Sequence, residues 1–383
     1  MRLENCYRTS DFRKLAKKRL PAPIFHYIDG GADDEITLAR NTDAFEAVDL
    51  VPNVLAGVDE IDMSVTVLGA KLDMPLFFSP TAMQRLFHHD GEFAIADAAA
   101  RYGTLFGVST IGTRSIEELG ARNDAPKLFQ IYVHSDPGLT SELIARCKAA
   151  NFSALALTVD TVVAGNRERD YHTGMTTPPK LTPRSLLSFA THPAWTFNYL
   201  LREKFDLPNI ASVLAAGSQK NYSVIDYINT QMKRTIDWDD AAEMIAEWGG
   251  PFAIKGVMSV NDARRAVDVG ASAIMISNHG GRQLDGSRAP FDQLAAILDA
   301  VGGEIEVIVD GGIRRGTHVL KAMAMGATAC SGGRMYLYAL AGAGPAGVDR
   351  AMGLLRDEIE RNMRLMGCSS MAELRPSMVA TRR

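Results

Sequence analysis

The feature that most constrains this chain is an alternation. Short apolar runs rich in β-branched and aromatic residues recur along it, each ending in glycine or polar residues, with segments of helical periodicity between them. The runs are Pro75–Thr81, Leu105–Thr110, Lys127–Val133, Ala154–Asp160, Phe252–Gly256, Ala273–Gly280, Val307–Gly312 and Ala327–Arg334. Continuous apolar runs suit strands buried on both faces, as in a parallel sheet. Helix formers fill Glu92–Tyr102, Pro137–Ala150, Asp239–Trp248, Asn261–Val269, Phe291–Val301 and Arg315–Met325. Eight such units predict an α/β protein, a (β/α)8 TIM barrel of about 250 residues. The alternative, a doubly wound open sheet, lacks its early G-x-G-x-x-G fingerprint here.

The 383 residues then read as a single domain, 1–383, with two additions. Residues 1–70 precede the first strand and are expected to form helices and a small hairpin closing the bottom of the barrel. Residues 171–235 interrupt the step from strand 4 to strand 5, first as TTPPKLTPRS and then as the apolar LLSFATHPAWTFNYL. A long insertion at the C-terminal end of a barrel strand reads as a lid or a partner surface. Its stretch 185–215 also offers a peripheral membrane contact, although a lid or oligomer contact is the plainer reading.

Forty-one basic residues against 45 acidic ones leave a net charge of −4, which gives no electrostatic reason to expect nucleic acid. Cys6, Cys147, Cys330 and Cys368 are scattered without a C-x-x-C pair. Neither a disulfide framework nor a metal site is expected, and reduced thiols suit a cytoplasmic setting. The N-terminus MRLENCYRTSDFRKLAKKRLP has no apolar signal core, and no run of about 18 apolar residues spans a membrane.

In such a barrel the chemistry gathers at the C-terminal ends of the strands. Strands 7 and 8 end in DGGIRRG and SGGRMY. Glycines admit an anion to the backbone and arginine binds it bidentately, so these two loops together read as a phosphate site. His279, in SNHGGRQLDG, is the one histidine of eight at a strand end among glycines. It is the candidate base, and Asp160 at the end of strand 4 is placed to orient it. Arg167 and Arg282 flank the same mouth and suit a carboxylate substrate. Singly, each arginine reads as a surface ion pair and the histidine as a capped turn; the catalytic reading rests on their convergence. Lys255 ends a buried strand, where a bare ammonium is costly, so it should face an anionic or electron-accepting group.

The segments SNHGGRQLDG and DGGIRRG, with PTAMQ, FQIY and LTVDT, resemble the FMN-dependent (S)-2-hydroxy acid oxidase and dehydrogenase family over nearly the whole chain. YALAGAGPAGVDRAM is most similar to its bacterial L-lactate dehydrogenase branch. The resemblance implies FMN as cofactor and oxidation of an (S)-2-hydroxy acid, L-lactate or a similar aliphatic acid, to the 2-oxo acid. It implies His279 as base with Asp160, and Arg167, Arg282 and Tyr27 on the substrate carboxylate. Tyr132 would lie near the substrate hydroxyl and Lys255 beside the flavin. Pro80, Thr81, Ala82, Ser109, Gln130, Thr158, Lys255 and Ser277 would meet the flavin. Asp310, Gly312, Arg314, Gly333 and Arg334 would hold the ribityl chain and phosphate. It further implies a homotetramer, an electron acceptor that is a quinone, a cytochrome or oxygen, and a cytoplasmic place, peripheral to the inner membrane if the insertion touches lipid.

Ile111 falls where glycolate-oxidising members carry a tryptophan, and Ala82 where mandelate-oxidising members carry a glycine; both favour an aliphatic substrate. ERDYHTGM after Arg167 departs from the usual RDLHNRF-like run at the start of the lid. Two rivals are another FMN- or phosphate-binding barrel, such as a flavin-dependent isomerase, and a scaffold without catalysis. Neither needs the His, Asp and Arg set.

Overall fold

The computed structural model describes residues 1–175, 180–203, 205–210 and 231–382. Eight parallel strands close into a barrel, each beside its neighbour in sequence and the last beside the first. They are β1 (Leu76–Thr81), β2 (Phe106–Ser109), β3 (Lys127–Ile131), β4 (Ala154–Thr158), β5 (Phe252–Val257), β6 (Ala273–Ile276), β7 (Glu306–Asp310) and β8 (Ala329–Gly332). The expected (β/α)8 barrel is therefore the fold. Helices follow at Gly91–Arg101, Pro137–Ala149, Trp238–Trp248, Val260–Asp268, Pro290–Val301 and Gly316–Ala324, within a residue or two of the reading from periodicity.

The strands carry a polarity gradient that builds the site. Phe77, Leu128, Ala156, Ala253, Met275, Ile308 and Ala329 meet in a fully buried cluster inside the barrel. Strand side chains repeat every two residues, so the next inward positions are two residues further along. These are Ser79, Gln130, Thr158, Lys255, Ser277, Asp310 and Ser331, all buried. The apolar layer fills the barrel, and the polar layer above it forms the floor of the mouth.

The hairpin Val65–Val67 with Ala70–Leu72 seals the other end, its Val67, Leu68 and Leu72 joining the apolar layer. The N-terminal helices depart from the expected bottom position. Helix α1 (Thr9–Arg19) runs along the C-terminal helix, while α2 (Ala22–Asp29) and α3 (Ile36–Glu46) reach the mouth. The cause is electrostatic. Asp29, buried at the end of α2, takes both Arg13 and Arg169 and accepts from the Tyr338 hydroxyl at 2.8 Å. Arg282 and Arg334 bind the carbonyls of Tyr27, Ile28 and Gly30. Polar groups at the strand ends thus capture the extension.

Periodicity left several helices unread. Ile116–Gly120, started by a Ser115–Glu118 capping box, is too short to show a repeat. Arg334–Met366 is 33 residues long, but its Gly- and Ala-rich start and the non-helical Ala343 and Gly344 mask its pattern. In the insertion, Pro183–Ala190 and Pro193–Leu200 are helical. The Trp195 indole donates to Leu86 O at 2.9 Å and Ser188 Oγ accepts from Ala22 N at 2.9 Å, which fixes the pair to the loop after β1 and to α2.

Candidate active site

A cavity of about 1170 Å³ opens at the C-terminal ends of the strands. That figure takes in the open solvent at the mouth. Tyr27, Pro80, Thr81, Ala82, Ser109, Tyr132, Arg167, Lys255, His279, Arg282, Asp310, Gly312, Arg314, Gly333 and Arg334 line it. Four further candidates lie just behind this lining. Asp160 bonds His279, Gln130 bonds Ser109, Thr158 pairs with Lys255 in register, and Ser277 bonds Lys255.

His279 is held by its backbone and its ring. It has φ 57, followed by Gly280 at 67 and Gly281 at 72. The left-handed region is costly for a side chain with a Cβ but open to glycine, so the strain falls on His279 and the surrounding bonds must hold it. They do so: the His279 amide donates to Ser277 Oγ at 3.2 Å, and Nδ1 lies 3.0 Å from Asp160 Oδ1. That leaves Nε2 as the ring nitrogen free to meet a ligand. Gly256, at φ 112, permits the approach of Asp160, since a Cβ there would sit 2.9 Å from the Asp160 side chain. Gln283 ties the two loops together, donating to Asp160 O and Val163 O and accepting from Gly165 N.

Lys255 has its own counter-charge. Its Nζ lies 2.9 Å from Asp310 Oδ2 and donates to Ser277 Oγ. Burial pushes the ammonium down, but Asp310 and Asp160 outweigh it, and the pKa is raised. Burial likewise pushes Asp310 up, yet Lys255 holds it below the usual carboxylate range. The buried ammonium thus faces an anionic group, Asp310, and does not by itself require a cofactor charge. Asp310, expected among the phosphate-holding residues, spends its oxygens on Lys255, Ser277 and Ser331.

The cations are arranged around Tyr27. The Arg167 and Arg282 guanidinium carbons lie 5.1 and 5.2 Å from its ring centre. Burial and then Arg167 push Arg282 down to about 10. Arg314 is pushed down to about 10 as well, by burial and with Arg334 adding to it. Among the described residues Arg314 makes one side-chain bond, to Ile313 O at 2.8 Å. Arg334 instead gives three donors to Ile28, Gly30 and Gly280 carbonyls, so it staples the loops as much as it faces the cavity. Buried cations crowding one another are stabilised by an anion.

The residues fit the FMN that the resemblance implies. Gln130 Nε2 and Thr158 Oγ1 are buried without a partner among the described residues, and such atoms call for a polar ligand. Gly312, at φ 74, turns where a Cβ would lie 1.9 Å from Asn41 O, leaving bare backbone beside Arg314. The flavin edge thus has orphan donors, and the phosphate end has an under-neutralised arginine.

Sequence reasoning missed Ser79, Phe87 and Gln283, all on the cavity wall. Gln283 stood inside the SNHGGRQLDG motif and was readable; Phe87, in an ordinary loop, gave no signal. Asn278, at the same strand end as His279, turns away to exchange two hydrogen bonds with Asn41 of α3.

The profile of the FMN-dependent dehydrogenase family matches residues 16–381. Among characterised relatives, glycolate oxidase 1 of Zea mays is 38% identical over 371 residues, covering 97% of this chain and 95% of that protein. L-lactate dehydrogenase of Alcaligenes faecalis is 40% identical over 367 residues, 96% of each. Among solved structures, the monotopic membrane protein (S)-mandelate dehydrogenase superposes with a TM-score of 0.92 at 32% identity, covering 99% of this chain and 100% of that one. A mandelate oxidase superposes at 0.84 with 33% identity over 99% of both chains.

Proposed function

This chain belongs to the FMN-dependent dehydrogenase family, and from that premise we propose that it oxidises an (S)-2-hydroxy acid, L-lactate or an aliphatic acid of similar size, to the 2-oxo acid. The observation that carries the reading is the pairing of a strained, Asp-held His279 with Arg167 and Arg282 on one rim of one cavity.

The residues divide the work. Arg167, Arg282 and Tyr27 bind and orient the carboxylate. Nε2 of His279 takes one proton from the substrate, and Asp160 holds the ring and stabilises the imidazolium that results. Tyr132, buried at the cavity wall and pushed well above the usual phenol range by that burial and by Asp160, stays a neutral donor toward the substrate oxygen. Lys255, Gln130, Thr158, Ser277, Pro80, Thr81, Ala82 and Ser109 hold the flavin, and Gly312, Arg314, Gly333 and Arg334 its phosphate end, with Asp310 keeping Lys255 in place. Bound FMN supplies the two-electron redox chemistry.

Substrate size follows from the wall. Ala82, Ile111 and Tyr132 line the cavity, and Met83, Ile210 and Met232 back them in one buried apolar cluster. Burying a side chain there is favourable by about 0.8 kcal/mol per methylene, which supports lactate or a longer acid over glycolate. The acceptor on this reading is a quinone or a cytochrome. Oxygen is the alternative, and it draws on the likeness to glycolate oxidase. A panel of (S)-2-hydroxy acids, each assayed with oxygen and with an artificial acceptor, tests both parts. Turnover of L-lactate with the artificial acceptor and little with oxygen is expected. Equal rates with oxygen favour an oxidase, and no turnover of any acid removes the proposal.

The insertion supports a peripheral lipid contact. No helix among the described residues is long and apolar enough to cross a membrane, yet Leu186, Leu187, Phe197 and Leu201 are exposed there. Within 185–215, positions 204 and 211–215 lie outside the described residues.

A further inference from the structure

We propose that His88, His89 and Asp90, in the loop between β1 and the helix Gly91–Arg101, form a binding site for a borderline divalent transition-metal ion such as Zn²⁺. The sequence reading looked for metal ligands among the cysteines; this cluster contains none. Its three donor atoms lie within 4.8 Å of one another. The Asp90 carboxylate offers one oxygen to each ring, Oδ2 at 3.2 Å from His88 Nδ1 and Oδ1 at 3.4 Å from His89 Nε2. Zinc bound tetrahedrally at about 2.0–2.1 Å sets neighbouring donors about 3.3 Å apart. Each ring stands at that spacing from its own Asp90 oxygen, and with one donor per residue the three lie within 4.8 Å, so rotation of the partly exposed rings is needed to close the set.

The site is also prepared on its inner side. The kink of the C-terminal helix places Gly344, at φ 60, where a Cβ would lie 2.6 Å from His88 Cε1 and Nε2. The ring is therefore seated against bare backbone, with Nε2 inward, while Nδ1 faces the Asp90 amide at 3.4 Å and Asp90 Oδ2 at 3.2 Å, contacts that an ion would replace. Arg202 is the cation that also faces His88, and it is exposed and able to turn into solvent. Two imidazoles and a carboxylate suit Zn²⁺, Co²⁺ or Ni²⁺, not Mg²⁺ or Ca²⁺. The adjoining Phe87 lines the active cavity and stacks on Tyr27 at 6.3 Å, so an ion here would stiffen one wall of the site.

Calorimetry and Co²⁺ absorption on the full flavin-loaded chain test the proposal. One ion per chain is expected, with the visible bands of four-coordinate Co²⁺, and a rise in Tm on adding Zn²⁺. His88→Ala and His89→Ala should each weaken binding about 10-fold or more while flavin content is unchanged. His89 is partly exposed, so its variant keeps the test valid if the His88 variant folds poorly. No saturable binding, an octahedral Co²⁺ spectrum, or undiminished affinity in His89→Ala overturns the site.

Discussion

At the scale of single residues, the account turns on His279. Its φ of 57 and its bond to Asp160 are both unusual, and neither is needed for a barrel to fold. His279→Gln should leave a yellow, stable protein whose kcat/KM falls about 10²–10⁴-fold, the usual worth of a positioned acid–base group. Stopped-flow reduction of the flavin checks it, and near-normal reduction refutes the role. Asp29 gives a second test, this one of stability. Burial would raise its pKa, but Arg13, Tyr338 and Arg169 outweigh it and hold the carboxylate below its usual range. A depressed folded value adds stability that is full above the unfolded pKa near 3.9 and lost as pH falls through the folded value. Asp29→Asn should therefore cost about 2–3 kcal/mol at pH 7, moderated because Arg13 and Arg169 are partly exposed. Urea melts should show the gap to the parent protein narrowing toward pH 3; a gap independent of pH would contradict the assignment.

Among the elements, legibility followed the physics that dominates each one. Parallel strands buried on both faces must be apolar throughout, so all eight could be read directly. Polar residues that break such a run, such as Lys255 or Thr158, have to earn their place, and they marked the floor of the site. The extension was harder. Tyr27 looks like any packed aromatic, because its position depends on bonds from Arg282 and Arg334 to carbonyls of the α2 segment, and carbonyls leave no trace in the residue string. The helix Arg334–Met366 was hidden by its own kink. The loop after β7 carries the sharpest prediction at this scale. Gly312→Ala adds a Cβ at φ 74 into Asn41 O, so the loop must shift. The purified variant should hold less than half the FMN of the parent protein, read from the flavin-to-protein absorbance ratio. Full loading would mean that the loop does not hold the phosphate end.

For the whole molecule, two faces matter: the cavity at the strand ends and the apolar side of the insertion. Leu186 and Leu187 lie exposed on the first insertion helix, which Ser188 ties to α2. Flotation with anionic phospholipid vesicles should recover the parent protein with lipid and leave a Leu186→Asp, Leu187→Asp variant behind, with flavin reduction unchanged. Equal flotation of both would assign the apolar face to another partner. The central claim is that one mouth joins a flavin, a base and a pair of carboxylate-binding arginines into an (S)-2-hydroxy acid site. Anaerobic mixing of the purified flavoprotein with the two enantiomers of lactate tests it most directly. Rapid bleaching of the flavin by the (S) form, little by the (R) form, is the predicted result; a flavin that stays oxidised with every (S)-2-hydroxy acid tried would contradict the account.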